Sequence, residues 1–178
     1  MHYTGTIWRP PYEAYSLLVQ VTAGCTHHSC KFCTLYEDLP FKFKLSPFSE
    51  VKADLAEASK YYRKIPRIFF TGANPFVLST EKLKTLAKMV KEYYPFYKTI
   101  GCFARITDIM PKSLEELKEL RALGYDGITI GVETGDDESL TFMNKGFQSK
   151  DVLEQCRKLD EAGISYNFFY LTGIYGAG

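Results

Sequence analysis

Ser113-Leu114-Glu115-Glu116-Leu117-Lys118-Glu119-Leu120-Arg121-Ala122-Leu123-Gly124-Tyr125-Asp126-Gly127-Ile128-Thr129-Ile130-Gly131-Val132 holds a whole structural unit. Ser113 and Glu116 have capping-box spacing: the Ser oxygen accepts the N3 amide while the Glu reaches back. Leu114, Leu117, Leu120 and Leu123 make one apolar helix face, and Gly124 is a natural C-terminal cap. The run from Ile128 to Val132 is near-continuous in apolar or β-branched residues, which suits a strand covered on both faces. The layout helix, glycine, strand recurs at Leu159-Asp160-Glu161-Ala162-Gly163-Ile164, which leads into Tyr166 to Leu171.

Working outward, Tyr15 to Val21, Ile68 to Phe70 and Thr99 to Ile106 read as further strands. Between them run segments of helical period. Val51, Leu55, Ala58 and Tyr62 follow Ser46-Pro47; Leu83, Leu86, Ala87 and Val90 follow Ser79; Val152, Cys156 and Leu159 follow Ser149. One helix between each pair of strands predicts right-handed β-α-β units with parallel strands. The fold class is therefore α/β, read first as a partial, TIM-like barrel of about five β-α units, with an open doubly wound sheet as the alternative. Residues 1–14 form an N-terminal extension and 15–178 the core domain. Trp8-Arg9-Pro10-Pro11-Tyr12-Glu13 is either a lid or, preferably, a segment packed on the barrel's outer wall. The tail Thr172-Gly173-Ile174-Tyr175-Gly176-Ala177-Gly178 is loop material, so the domain reads as incomplete at its C-terminus, with an apolar edge exposed.

Composition narrows the partners. In 178 residues, 46% are hydrophobic and 24% charged, which excludes a disordered tail, a collagen-like repeat and a coiled coil. Twenty-two basic against 21 acidic residues leave a net charge of +1, so nucleic acid is not indicated and no anionic membrane is favoured. No apolar run is long enough to span a bilayer. Met1-His2-Tyr3-Thr4 lacks the regions of a secretory signal, which makes a cytoplasmic location the default expectation. The 13 Tyr, 13 Phe and one Trp would suit a large cavity.

Five cysteines, three of them within nine residues, are a poor disulfide framework and in a reducing compartment point to metal. Gly24-Cys25-Thr26-His27-His28-Ser29-Cys30-Lys31-Phe32-Cys33 lies just past the first strand, where parallel α/β folds place active sites. Three thiolates can hold three corners of an iron–sulfur cubane and leave one iron for an outside ligand. Phe32 can shield such a cluster from water. The alternative is a structural or regulatory zinc module, with Cys25, Cys30, Cys33 and either His27 or His28 as a Cys3His tetrahedron. Cys102 and Cys156 read as buried small apolar residues.

The triplet resembles the signature of radical S-adenosylmethionine (SAM) enzymes, C-x3-C-x2-C with an aromatic before the last Cys. Here four residues separate Cys25 from Cys30. Thr71-Gly72-Ala73-Asn74-Pro75 stands where the family carries a Gly-Gly-Glu-Pro-like motif for the methionine amino group, with Asn74 in place of the acid. Ile130-Gly131-Val132-Glu133-Thr134-Gly135, continued by Met143-Asn144-Lys145-Gly146, resembles the fourth-strand motif of tRNA-modifying and cobalamin-associated members. Arg105 is similar to the family's third-strand Arg, and Phe169 to Gly176 to its adenine-packing fifth strand.

The resemblance implies a partial (β/α)6 barrel with a [4Fe-4S] cluster on Cys25, Cys30 and Cys33. It implies cofactor contacts from Phe32, Gly72, Ala73, Asn74, Arg105, Glu133 and Ile174. Arg105 would pair with the SAM carboxylate, Glu133 would meet the ribose or amino acid portion, and Ile174 the adenine. The implied reaction is reductive cleavage of SAM to methionine and a 5′-deoxyadenosyl radical, which takes hydrogen from a substrate the sequence does not identify. The electron would come from an external flavodoxin- or ferredoxin-like donor. No second cysteine cluster is present, which argues against sulfur-inserting members. His27 and His28 either line the mouth or sit in a solvated loop.

Overall fold

The computed structural model describes residues 1–174. Its elements are β1 (Leu17–Gln20), β2 (Thr22–Gly24), β3 (Phe43–Leu45), α1 (Phe48–Tyr61), β4 (Arg67–Thr71), α2 (Thr80–Tyr93), β5 (Thr99–Ala104), α3 (Ile106–Ile109), α4 (Leu114–Ala122), β6 (Ile128–Glu133), α5 (Asp137–Phe142), α6 (Ser149–Ala162) and β7 (Tyr166–Tyr170). The helix-to-strand devices form as their residues dictate. Ser113 N donates to Glu116 Oε2 at 2.8 Å while Glu116 N donates to Ser113 Oγ at 3.1 Å. Gly163 ends α6 at φ +71°, and Gly124 turns the chain at φ +90°, both in the region glycine enters freely.

Five strands make one parallel sheet in the order β1-β4-β5-β6-β7. Every crossover moves one place in the same direction. A doubly wound sheet needs a point where the order reverses, so the sheet is the partial barrel and not the open alternative. Side chains alternate across it. Val19, Ile68, Phe70, Ile100, Cys102, Ile128 and Ile130 are buried in the core with Leu55, Leu83, Leu86, Leu117, Leu120 and Leu159 of the helices. The inward face carries Arg67, Phe69, Gly101, Phe103, Thr129, Gly131 and Phe169. Phe103 makes ring contacts with Phe69 at 5.2 Å and with Phe169 at 6.0 Å.

Two features depart from the local reading. The first strand is not one element: β1 ends at Gln20, and β2 leaves the sheet to pair antiparallel with β3. Tyr62 lies past the end of α1 and is exposed, so the apolar stripe of that helix stops at Ala58. The β2–β3 ribbon closes the neck of the cysteine loop, where Cys25 N donates to Lys42 O at 2.7 Å. Only glycine fits at position 24, since φ is +75° and a Cβ would stand 2.2 Å from Lys42 O.

Residues 1–14 wrap the free edge of β1 and then follow the inward face. His2 N donates to Asp54 of α1 at 2.8 Å. Thr4 and the Gln20 side chain exchange two hydrogen bonds of 2.6 and 3.0 Å. Tyr12 Oη meets Thr129 Oγ1 at 2.8 Å, and the buried Glu13 accepts from Arg67 Nε at 2.9 Å. Trp8 to Glu13 thus run against the barrel's inside rather than its outer wall. Among the described residues the sheet ends at β1, whose edge residues 1–14 wrap, and at β7, on which Tyr170 is exposed. Tyr175 to Gly178, the end of the glycine-rich loop, lie outside the described residues. No helix among the described residues is long and apolar enough to cross a membrane.

Candidate active site

A cleft of about 260 Å³ opens at the C-terminal ends of the parallel strands. The β2–β3 loop contributes Cys25, Cys30, Phe32, Cys33, Leu35 and Tyr36 to its wall, and the N-terminal segment contributes Trp8 and Arg9. The strand ends supply Ala73 after β4, Arg105 after β5, Glu133 of β6 and Phe169 of β7, with Lys145 from the loop after α5. Gly72, Asn74 and Ile174 are not in this wall. Ile174 packs against the hydrophobic core instead. A larger cleft of about 760 Å³ at the free edge of β1, among Tyr3, Tyr15, Tyr61 and Tyr62, gathers no thiol or imidazole.

The cysteine loop is stitched to the segment after α5. Lys31 N donates to Met143 O at 3.0 Å, Asn144 Nδ2 to Ser29 O at 2.9 Å, and His27 Nε2 to Asn144 O at 2.6 Å. The carbonyl partner makes Nε2 the protonated nitrogen, and burial lowers the His27 pKa. His28 stands at φ +46° with Nδ1 buried and unpartnered. All five cysteines are free thiols. Cys102 is fully buried and Cys156 nearly so, outside the cleft, as their apolar reading requires.

Burial raises the Cys30 and Cys33 thiols, and each is raised further by Cys25, so the three sulfurs sense one another. Lys145 opposes that rise at both positions, and Arg105 does so at Cys30. The cleft wall carries three cations, Arg9, Arg105 and Lys145, against the single carboxylate of Glu133. Among the described residues no three His, Cys, Asp or Glu side chains gather closely enough for one metal ion.

A β-bulge sets Glu133. The register slips between Gly131 and Glu133, and Glu133 takes φ +72°, which turns its carboxylate into the cleft. Oε1 accepts from Lys145 Nζ at 3.0 Å; the side chains are 10% and 4% exposed. It fills the space a Gly131 Cβ would enter, 2.8 Å away. The Lys145 ammonium lies 5.5 Å from the Phe32 ring centre and 5.6 Å from that of Phe147. Arg105 is pinned by Thr107 Oγ1 at 3.0 Å and by Lys145 O, which leaves its buried Nε without a partner.

The family model described as Radical SAM superfamily matches residues 19–177. The chain belongs to the radical SAM superfamily. Among characterised proteins it is similar to the heme chaperone HemW of Bacillus subtilis, at 30% identity over 97 residues, which is 54% of this chain and 26% of HemW. It is also similar to an uncharacterized methyltransferase of Synechocystis sp., at 26% identity over 92% of this chain and 31% of that protein. Measured against these relatives, the radical SAM chain described here spans between about a quarter and a third of their length. Its fold is shared with the cobalamin-dependent SAM radical enzyme OxsB (TM-score 0.64, 19% identity, 88% of this chain and 24% of that one). It is shared too with the radical SAM methyltransferase TsrM of Kitasatospora setae (TM-score 0.68, 17% identity, 89% and 31%).

Sequence reading alone missed Lys145, Trp8, Arg9 and Phe103 as cleft residues. Lys145 was visible only as part of a motif. Trp8 and Arg9 were read as part of a lid or, preferably, an outer-wall segment, because their place depends on the N-terminal segment entering the barrel.

Proposed function

We propose that residues 15–178 are a radical SAM core that binds a [4Fe-4S] cluster through Cys25, Cys30 and Cys33, with residues 1–14 as an extension packed on the barrel. The observation that carries this reading is that the three thiols open on one cleft at the barrel mouth, together with Arg105 and Glu133. The donor set fits the group. Soft thiolates suit an iron–sulfur centre, and a cluster spreads its ligands over several metal atoms, where one tetrahedral ion draws them together. When bound, the cluster and SAM supply one-electron reductive chemistry and a carbon radical.

The chain's own residues bind, orient and shield. The cationic wall offsets the negative charge of deprotonated thiols, as the effect of Lys145 and Arg105 on Cys30 supports. The Arg105 Nε–H is free to donate to a carboxylate. Glu133, held by Lys145, offers its other oxygen to hydroxyl or ammonium donors. Phe32, Phe103, Phe169 and Trp8 keep water from the reacting centre. Ala73 presents backbone groups at the end of β4, whereas Gly72 and Ile174 stand outside the cleft wall. An external flavodoxin- or ferredoxin-like protein delivers the electron, in the reducing setting of the cytoplasm. The substrate is a further molecule that enters at the barrel mouth.

The test is anaerobic reconstitution with iron and sulfide analysis. About four irons per chain are expected, lost in Cys25→Ala, Cys30→Ala and Cys33→Ala and kept in Cys102→Ala. One tetrahedral zinc and no response to SAM would contradict the reading.

A further inference from the structure

Trp8 and Arg9 reach the cleft because the residues that follow them are clamped to the inward face of the sheet. Pro10 and Pro11 stiffen the chain there, and Glu13 N donates back to Pro10 O at 3.0 Å. Tyr12 Oη meets Thr129 Oγ1 of β6 at 2.8 Å. The Glu13 carboxylate, 1% exposed, accepts from Arg67 Nε of β4 at 2.9 Å. Arg67 also donates to Thr99 Oγ1 at 3.0 Å and to Gly127 O at 3.2 Å, which ties it to β5 and to the entry of β6. The sheet makes room for its guanidinium with glycine: a Cβ at Gly101 or Gly127 would stand 2.4 or 2.7 Å from Nη2. The buried pair fixes where the segment lies.

Arg9 is the cation that the cleft leaves unused. Lys145 pairs with Glu133 at 3.0 Å, and Arg105 is bonded to Thr107 Oγ1 and Lys145 O. Those two cations are also the ones that lower the Cys30 thiol. Arg9 is exposed in the wall, and its guanidinium has no hydrogen-bond or ion-pair partner among the described residues. Glu133, the one carboxylate of that wall, is already taken. The wall also carries Trp8, Phe103 and Phe169, the last two in ring contact at 6.0 Å. Trp8 and Phe169 both leave ring surface exposed. A free guanidinium in a wall of open aromatic faces suits a ligand oriented by one charge and held by apolar area. One unpaired cation matches the single charge of a carboxylate, whereas a phosphate monoester would keep part of its charge unmet.

We propose that Arg9 is a specificity-determining residue that takes the carboxylate of a substrate whose apolar body lies on Trp8, Phe103 and Phe169. The inference rests on the radical SAM reading and deepens it by naming the class of the substrate, a carboxylic acid with an apolar body.

The probes are phenylacetate and phenylacetamide, which match in shape and differ in charge. Their affinities are measured by anaerobic equilibrium dialysis on the reconstituted full chain with SAM present. They are measured again on the metal-free chain, where the fluorescence of Trp8, the one Trp of the sequence, reports from the wall itself. In both forms wild type is expected to bind phenylacetate at least about tenfold more tightly than phenylacetamide, the worth of one charge-assisted contact. Arg9→Gln is expected to lose that preference. Arg9→Lys is expected to keep part of it, since an ammonium supplies the charge without the planar fork. Because Arg9 is exposed and unpaired, Arg9→Gln is expected to leave the urea midpoint where it is. A wild type that binds the two probes alike overturns the proposal. So does a preference that survives in Arg9→Gln, or an Arg9→Gln chain that unfolds at lower urea concentration, the mark of a structural role. A chain that takes up no iron overturns the radical SAM reading instead, and the metal-free titration still decides whether Arg9 holds a carboxylate.

Discussion

Replacing Lys145 with Met tests the electrostatics of the cleft without any cofactor. The substitution keeps the apolar stem that packs between Phe32 and Phe147 and removes only the ammonium. At 3.0 Å and an effective dielectric near 20, the Lys145–Glu133 attraction is about 5 kcal/mol. Desolvation takes part of that back, and stranding one member of a buried pair costs about 3–5 kcal/mol in comparable cases. Lys145→Met is therefore expected to lose about 3–5 kcal/mol at pH 7. Glu133→Gln/Lys145→Met removes both charges and is expected to recover at least about 2 kcal/mol of the loss. The assay is urea unfolding of the metal-free chain under reducing conditions, followed by circular dichroism. A single variant within about 1 kcal/mol of wild type, or a double variant as unstable as the sum of its singles, would refute the reasoning.

Three further outcomes follow from the same geometry. Gly72→Ala places a Cβ 2.0 Å from Thr22 Oγ1 and 2.6 Å from Thr22 O at φ +132°; a loss of about 3 kcal/mol or more is expected in thermal unfolding, with poorer iron uptake. Asp108 carries a folded value of about 6 against an ordinary 3.8, so the stability it lends is present below its unfolded value and is lost as the pH rises through about 6. Asp108→Asn should therefore gain about 2.4 kcal/mol relative to wild type between pH 4 and pH 7, read from urea midpoints at each pH. Cys102 is fully buried, with burial pushing its thiol far up, so alkylation of the native metal-free chain should label Cys25, Cys30 and Cys33 and spare Cys102 in a mass map.

The parts of the fold that were legible in the sequence are those fixed locally. The Ser113–Glu116 box, the glycine caps and the two hydrophobic periods involve residues a few positions apart, and they place four helices and the parallel strands. The β2–β3 ribbon was not legible, because Phe43-Lys44-Leu45 is only three residues long and its pairing with Thr22-Ala23-Gly24 closes across the whole cysteine loop. The candidate site divides in the same way. The cysteine spacing, Arg105 and Glu133 stand at strand ends, so knowing the strands places them at the mouth. Asn74 was found as a position, but its chemistry is decided by Asp108 and Thr26, distant in sequence, which turn its amide away from the cleft. Lys145 is one loop lysine among many until the β-bulge at Val132 brings Glu133 round to meet it.

The most direct measurement is the Mössbauer spectrum of chain reconstituted with iron-57, recorded with and without SAM. The account predicts a four-iron cluster in which one site alone changes its isomer shift when SAM is added. Four irons that are all indifferent to SAM, or a protein that takes up zinc and no iron, would contradict it.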